Sequence, residues 1–249
     1  MGARSCASSG APPVADGWFV TGTDTEVGKT LIAAAMIITL RRRGMRIAPM
    51  KPVVAGIEGG TYRDVDCLMA AAGGDYPAAL VSPYRFEAPI APHIAAAAAG
   101  VEIEPARILA AFAALRSGAD AIVVEGAGGF RVPLGPGFDF ADLAQRLALP
   151  VVLVVRIRLG CINHALLTAE AIERRGLLLA GWIANAIDPA MPVARENIAA
   201  LAERLPAPLL GEVPLMARPH PEQAADYLGA LTRLTNPAPL VAAAHHGSN

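Results

Sequence analysis

The sequence predicts one α/β domain built on a doubly wound parallel sheet, and three observations carry that expectation. Short apolar runs at 18–21, 46–52, 121–125, 151–155, 178–185 and 209–213 alternate with longer stretches of helical pattern. Several of these runs are apolar without alternation, as strands are when helices cover both faces of a parallel sheet. The first run also passes directly into a glycine-bounded turn and a helix, Gly22-Thr-Asp-Thr-Glu-Val-Gly28-Lys29-Thr30. A β-α-β-α order of this kind calls for right-handed crossovers and a ligand crevice at the carboxyl ends of the strands.

Taken in order, residues 1–16 are rich in Gly, Ala, Ser and Pro, hold no apolar run of signal-peptide length, and read as a loose tail. Helices are expected at 29–43, 65–72, 106–117, 141–147, 163–175 and 193–204, with a weaker pattern at 222–233. The Gly-rich stretch 56–63 reads as a mobile loop, and the alanine run 95–100 as a helix end. No composition shift divides 17–234, and 235–249 reads as a second tail. Hydrophobic residues make up 54% of the 249 and aromatics only 5%, so the core must be aliphatic and alanine-rich. A net charge of −1 gives no pull towards nucleic acid or anionic lipid. Arg156 and Arg158 interrupt the most apolar region, which leaves no membrane span. Cys6, Cys67 and Cys161 have no paired spacing, which points to a reducing, cytoplasmic setting.

The Gly22–Thr30 turn has the chemistry of a phosphate cradle. Gly28 lets the backbone approach phosphate oxygens, and the following helix N-terminus offers amide N–H groups and partial positive charge. Lys29 would stand beside the β- and γ-phosphates of a nucleoside triphosphate, most simply ATP, with the Thr30 hydroxyl on Mg2+. The usual loop has four residues between its glycines; this one has five, Thr23 to Val27. Lys51 closes the second apolar run, where it adds a second positive charge to the crevice or is an ordinary exposed strand-end lysine. Glu125 ends a buried strand before Gly-Ala-Gly-Gly129, the place where an acidic residue meets Mg2+ in nucleotide-binding α/β proteins. Asp64 and Asp66 open the helix after the loop, and spacing does not choose between them as a metal ligand or as favourable helix-start charges. Asn185 and Pro214 follow strands, a position shared by base-flanking residues and plain turns. The five histidines form no constellation, and no nucleophile elbow is present. Phosphoryl transfer is the chemistry that remains.

Thr21-Gly-Thr-Asp-Thr-Glu-Val-Gly-Lys-Thr30, Met50-Lys-Pro-Val53, Glu125-Gly-Ala-Gly-Gly129 and Leu159-Gly-Cys-Ile-Asn-His-Ala165 together resemble the dethiobiotin synthetase family. The resemblance extends from about residue 18 to 234. It implies a three-layer, Rossmann-like fold of the phosphate-loop NTPase class and a homodimer. It also implies ring closure of 7,8-diaminopelargonate with CO2 and ATP to dethiobiotin, in biotin biosynthesis. By the same resemblance Lys51 and Lys29 are catalytic, and Thr30, Asp66 and Glu125 hold Mg2+. Glu26, Val27, Gly28, Lys29, Thr30 and Leu31, with Asp66, Glu125, Gly126, Ala127 and Gly128, would bind ATP. Asn185, Pro214, Leu215 and Met216 would flank its base. Thr25, Lys51 and Ala55, with Gly160, Cys161, Ile162 and Asn163, would take the diamino acid, the last four near a dimer interface. One position departs: the family carries Ser or Thr where this chain has Ala55, a lost hydrogen bond worth on the order of 1 kcal/mol unless water substitutes.

Two other readings fit the chain less well. A cobyrinate-type amidating synthetase would need a glutaminase domain for which the chain has no room. A ParA/MinD-like partitioning ATPase would carry a further lysine near the first glycine, where this chain has Gly22, Thr23 and Asp24.

Overall fold

The computed structural model describes residues 17–186, 188 and 191–235. The tails expected at 1–16 and 235–249 lie outside these residues, apart from Thr235. In chain order the first half comprises β1 (Gly17–Gly22), α1 (Lys29–Arg41), β2 (Ile47–Met50), β3 (Val53–Ala55), α2 (Arg63–Ala72), α3 (Ala78–Val81), β4 (Tyr84–Phe86), α4 (Pro92–Ala98), α5 (Pro105–Arg116) and β5 (Ala121–Glu125). The second half comprises β6 (Pro133–Gly135), β7 (Phe138–Asp139), α6 (Phe140–Leu147), β8 (Val151–Arg156), α7 (Cys161–Arg174), β9 (Leu179–Asn185), α8 (Ala194–Arg204), β10 (Leu209–Val213), α9 (Pro221–Ala225), a 3-10 turn (Gly229–Leu231) and α10 (Thr232–Thr235).

Six strands form one parallel sheet in the order β10-β9-β8-β1-β5-β2. β1 is buried along its whole length, and its neighbours β8 and β5 are covered on both faces, which is why these runs show no polar alternation. Successive side chains still part to opposite sides. Trp18, Val20, Val123, Val152 and Val154 pack into a core around α1, α2 and α9. Phe19, Ile122, Val124, Leu153 and Val155 pack into another around α5, α6 and α7.

Helix α1 shows why the chain is alanine-rich. It lies between the sheet, α2 and α9, and ten of its thirteen residues are buried. Ala33, Ala34 and Ala35 let these neighbours approach the helix backbone. Ile32, Met36, Ile37 and Leu40 are fully buried, each stabilising the packing by roughly 1.5–3 kcal/mol.

All six sheet strands and the six strongest helices were expected, with ends differing by a few residues. The run 46–52 proves to be two elements. β2 stops at Met50, the Lys51 amide donates to Val81 O, and Val53–Ala55 pairs with β4 outside the main sheet. Pro52 has no N–H to continue a ladder, and its carbonyl accepts from Tyr84 instead. The weak pattern at 222–233 likewise divides into α9, the 3-10 turn and α10. The alanine run expected as a helix end lies largely in α4.

Candidate active site

The turn after β1 is shaped by its two glycines. A Cβ on Gly22 would stand 2.5 Å from Val27 Cγ2, and one on Gly28 would stand 2.1 Å from Asn185 Nδ2. Gly28 also has φ 87° and forms the N-cap of α1. Within the lengthened loop Glu26 has a left-handed φ of 57°. Arg158 braces the loop from the β8–α7 connection through Asp24 at 2.8 Å.

Lys29, the first residue of α1, is buried and donates from Nζ to Asp24 O at 2.8 Å. Burial pushes its amine down to about 8, against the pull of nearby Glu125. Thr30 Oγ1 lies 2.9 Å from Asp64 Oδ1 and 2.8 Å from Glu125 Oε1, so its one proton can serve either carboxylate.

Lys51 reaches the same point from the far end of β2. Its Nζ donates to Glu125 Oε1 at 2.6 Å and Gly126 O at 3.2 Å, and pairs with Asp64 Oδ2 at 2.9 Å. Burial alone would lower the amine, but Glu125 and then Asp64 outweigh it and hold Lys51 above its ordinary value, as a cation. Burial raises the Glu125 carboxyl against the pull of Lys51. Burial also works to raise Asp64, but Lys51 and the Thr30 hydroxyl leave it below the usual carboxylate range. The sequence leaves these contacts unstated because they join residues 74 and 95 positions apart.

These groups form the charged end of a cavity of about 630 Å3. Val54, Pro89, Ile90, Pro92 and Val132 supply its apolar wall. Thr25, Glu26, Gly28, Ala55, Ala127 and Gly128 also line it. Val27 and Leu31 pack into the α1 core behind the loop, and Gly126 contributes its carbonyl to Lys51. The sequence reading missed the proline-rich wall 89–92 and Glu58, both of which line the cavity. The Ala-Pro-Ile-Ala-Pro run before α4 was a visible signal, for it is apolar and unsuited to a regular element.

One assignment is corrected. Asp66 is exposed, whereas Asp64 meets Thr30 and Lys51. Both stand in the first turn of α2, but two residues rotate a helical side chain by roughly 200°. The same turn that aims Asp64 at Thr30 therefore aims Asp66 at solvent.

Asn185 ends β9 behind the loop, where Nδ2 donates to Val27 O at 2.9 Å and Oδ1 is buried without a partner. Pro214, Leu215 and Met216 follow the adjacent β10; Leu215 is half exposed and Met216 packs against the α1 core. Gly160, Cys161, Ile162 and Asn163 open α7 outside the cavity. Leu159 beside them is 91% exposed.

The Thr30, Asp64 and Glu125 oxygens fit a hard cation such as Mg2+ that completes its shell with water and phosphate. Glu125 Oε2 is buried with no hydrogen-bond partner, an acceptor in want of one. Among the described residues no three His, Cys, Asp or Glu form a self-sufficient metal cage, and no helix is long and apolar enough to cross a membrane.

Residues 16–223 match the AAA domain family. Among curated proteins, the chain is 56% identical over 212 residues to the ATP-dependent dethiobiotin synthetase BioD of Aromatoleum aromaticum, covering 84% of this chain and 94% of that one. It is 51% identical to the protein of the same name from Janthinobacterium sp. (strain Marseille), over 84% of this chain and 92% of the relative. The Ralstonia nicotianae protein of that name is also 51% identical, over 87% and 96%. Among solved structures, the MinC:MinD cell division complex of Aquifex aeolicus aligns with TM-score 0.51 and 17% identity, over 89% of this chain and 85% of that chain. The signal recognition particle 54 kDa protein of Aeropyrum pernix K1 in complex with GDP aligns with TM-score 0.52 and 17% identity, over 90% and 50%. These two likenesses establish the phosphate-loop NTPase fold.

Proposed function

This chain belongs to the dethiobiotin synthetase family, ATP-dependent ligases of biotin biosynthesis, and from that premise we propose that it makes dethiobiotin from 7,8-diaminopelargonate (7,8-diaminononanoate), CO2 and ATP. The observation that carries this reading is the convergence of Lys29, Thr30, Lys51, Asp64 and Glu125 on one cavity that Val54, Pro89, Ile90, Pro92 and Val132 also line.

One amine of the diamine takes up CO2 as a carbamate. A carbamate oxygen attacks the γ-phosphorus, the bond to the β-phosphate oxygen breaks, and ADP leaves. The second amine then attacks the carbonyl carbon of the mixed anhydride; phosphate departs and the ureido ring closes. Lys29 and Lys51 supply two buried cationic donors for the charge that spreads over the phosphoryl oxygens. Asp64 and Glu125 keep Lys51 protonated and aimed. Thr30, Asp64 and Glu125 would hold Mg2+, which when bound neutralises triphosphate charge. Val54, Pro89, Ile90 and Val132 offer an alkyl chain an apolar wall, and holding both amines in one cavity makes closure effectively intramolecular. Ala55 offers this substrate no hydroxyl. Asn185 with Pro214–Met216 would take the base. A cytoplasmic homodimer that brings the α7 start of one copy over the other's cavity would let Gly160–Asn163 meet the substrate carboxylate.

The test is direct. Purified protein given diaminopelargonate, bicarbonate and magnesium ATP is expected to form dethiobiotin with one ADP released per ring. Turnover no higher than that of a Lys29→Ala control would sink the assignment.

A further inference from the structure

Arg156 ends β8 and takes no part in the phosphate chemistry above. Alternation along β8 sends Val152 and Val154 into the core around α1, and Arg156 follows them to that face. Its Cα partner on β9 is Asn185, which follows Ile183 to the same face. Two polar side chains thus leave neighbouring strand ends side by side, and Asn185 touches the phosphate loop.

Both are incompletely bonded. The Arg156 guanidinium makes no hydrogen bond among the described residues, and its Nε is closed off from solvent without a partner. Its ion pair with Asp188 is 4.0 Å long, beyond hydrogen-bond reach. The side chain is 27% exposed, so the outer part of the guanidinium is accessible while the inner part is dry. Asn185 has spent Nδ2 on Val27 O, which leaves Oδ1 as a buried acceptor with no donor. A dry donor and a dry acceptor left unpaired in adjacent positions are costly unless a ligand supplies the complement. Phosphate oxygens, acceptors only, would answer the arginine and repel the amide oxygen. A nucleobase answers both: adenine presents its N6 amine as donor beside the N7 acceptor.

We propose that Arg156 is a base-binding residue, its guanidinium donating a hydrogen bond to the nucleobase while Asn185 Oδ1 accepts from the exocyclic amine. This rests on the reading that the site holds ATP with its base at the ends of β9 and β10. Arg156 then sets affinity for the base and leaves the affinity for the phosphates untouched.

The experiment measures calorimetric dissociation constants of the full chain and its Arg156→Met variant, each for magnesium ATP and for magnesium tripolyphosphate, which has the phosphates without a base. Methionine keeps most of the buried apolar stem, and tripolyphosphate binding reports that the loop is still formed. The expected result is ATP affinity reduced about tenfold or more in the variant, with tripolyphosphate affinity unchanged to within about twofold. An equal loss for both ligands would place the contact on phosphate and overturn the inference, and no loss for ATP would overturn it as well. If the unaltered chain binds ATP no more tightly than tripolyphosphate, base binding itself fails, a result visible before the variant is made.

Discussion

Burial lowers the amines of both site lysines, but their neighbours differ and the net shifts run in opposite senses. Lys29 has a carbonyl within hydrogen-bond reach and its amine falls to about 8, while Lys51 has two carboxylates and stays a cation. Lys29 below its ordinary value costs the ligand-free fold stability where it must be charged, at about pH 8 and under; that cost fades as pH rises towards the unfolded value of 10.5. Triphosphate oxygens beside Nζ would reverse the shift. Nucleotide binding at about pH 9 should therefore take up close to one proton, and at about pH 6.5 none. Calorimetry in two buffers of unlike ionisation enthalpy reads this directly; identical heats at the higher pH would remove Lys29 from the phosphate site. The correction at α2 gives a second prediction. Asp64→Asn should raise the magnesium concentration needed for half-maximal turnover by about tenfold, since a ligand and a Lys51 partner are both weakened. Asp66→Asn, on the exposed side, should leave that concentration unchanged, and the paired titrations decide between the two carboxylates.

At the scale of elements, α6 is the one helix among the described residues that begins on a reciprocal capping box. The Asp139 side chain accepts from the Asp142 amide while Asp142 accepts from the Asp139 amide, a reciprocal cap on a strongly amphipathic helix. Asp139 also takes a 2.5 Å hydrogen bond from Arg131, at the end of the loop that follows Glu125. The cap thus anchors the segment that runs from the active-site carboxylate into α6. Replacing Asp139 by Ala should cost about 1 kcal/mol, with an upper limit near 2, in urea unfolding. Glu125 meets Thr30 and Lys51 without this cap, so turnover should survive; a variant of full stability would show the cap to be decorative. Elements legible in the sequence were those with a long, uninterrupted signal, such as β1 and β8 as apolar runs and α7 as an amphipathic helix. β3 and β4 were missed because each is three residues long and exists only by pairing with the other.

The whole molecule places Lys29, Thr30, Lys51, Asp64 and Glu125 where the strands β1, β2 and β5 end on one side of the sheet, with α1 and α2 beginning there. Gly160–Asn163 stand outside that cavity, next to the exposed Leu159, and Leu167 on α7 is 57% exposed. The proposed homodimer would cover these leucines. Leu159→Glu combined with Leu167→Glu should shift sedimentation to the monomer and raise KM for the diamine more than for ATP; a variant that stays dimeric would move the interface elsewhere. While it left Lys51 open between a crevice charge and an exposed strand-end lysine, the sequence by itself determined the fold class and marked the phosphate loop, Lys29, Thr30 and Glu125. Each of these is written in a local pattern: an apolar run, a glycine spacing, or a charge at the end of a strand. Only the tertiary structure decided that Asp64 and not Asp66 faces Thr30, that one proline-rich segment forms the cavity wall, and that Arg156 stands beside Asn185. Those outcomes depend on the rotation of a helix, the path of a loop and the register of two strands, and these are set by packing between segments far apart in the chain.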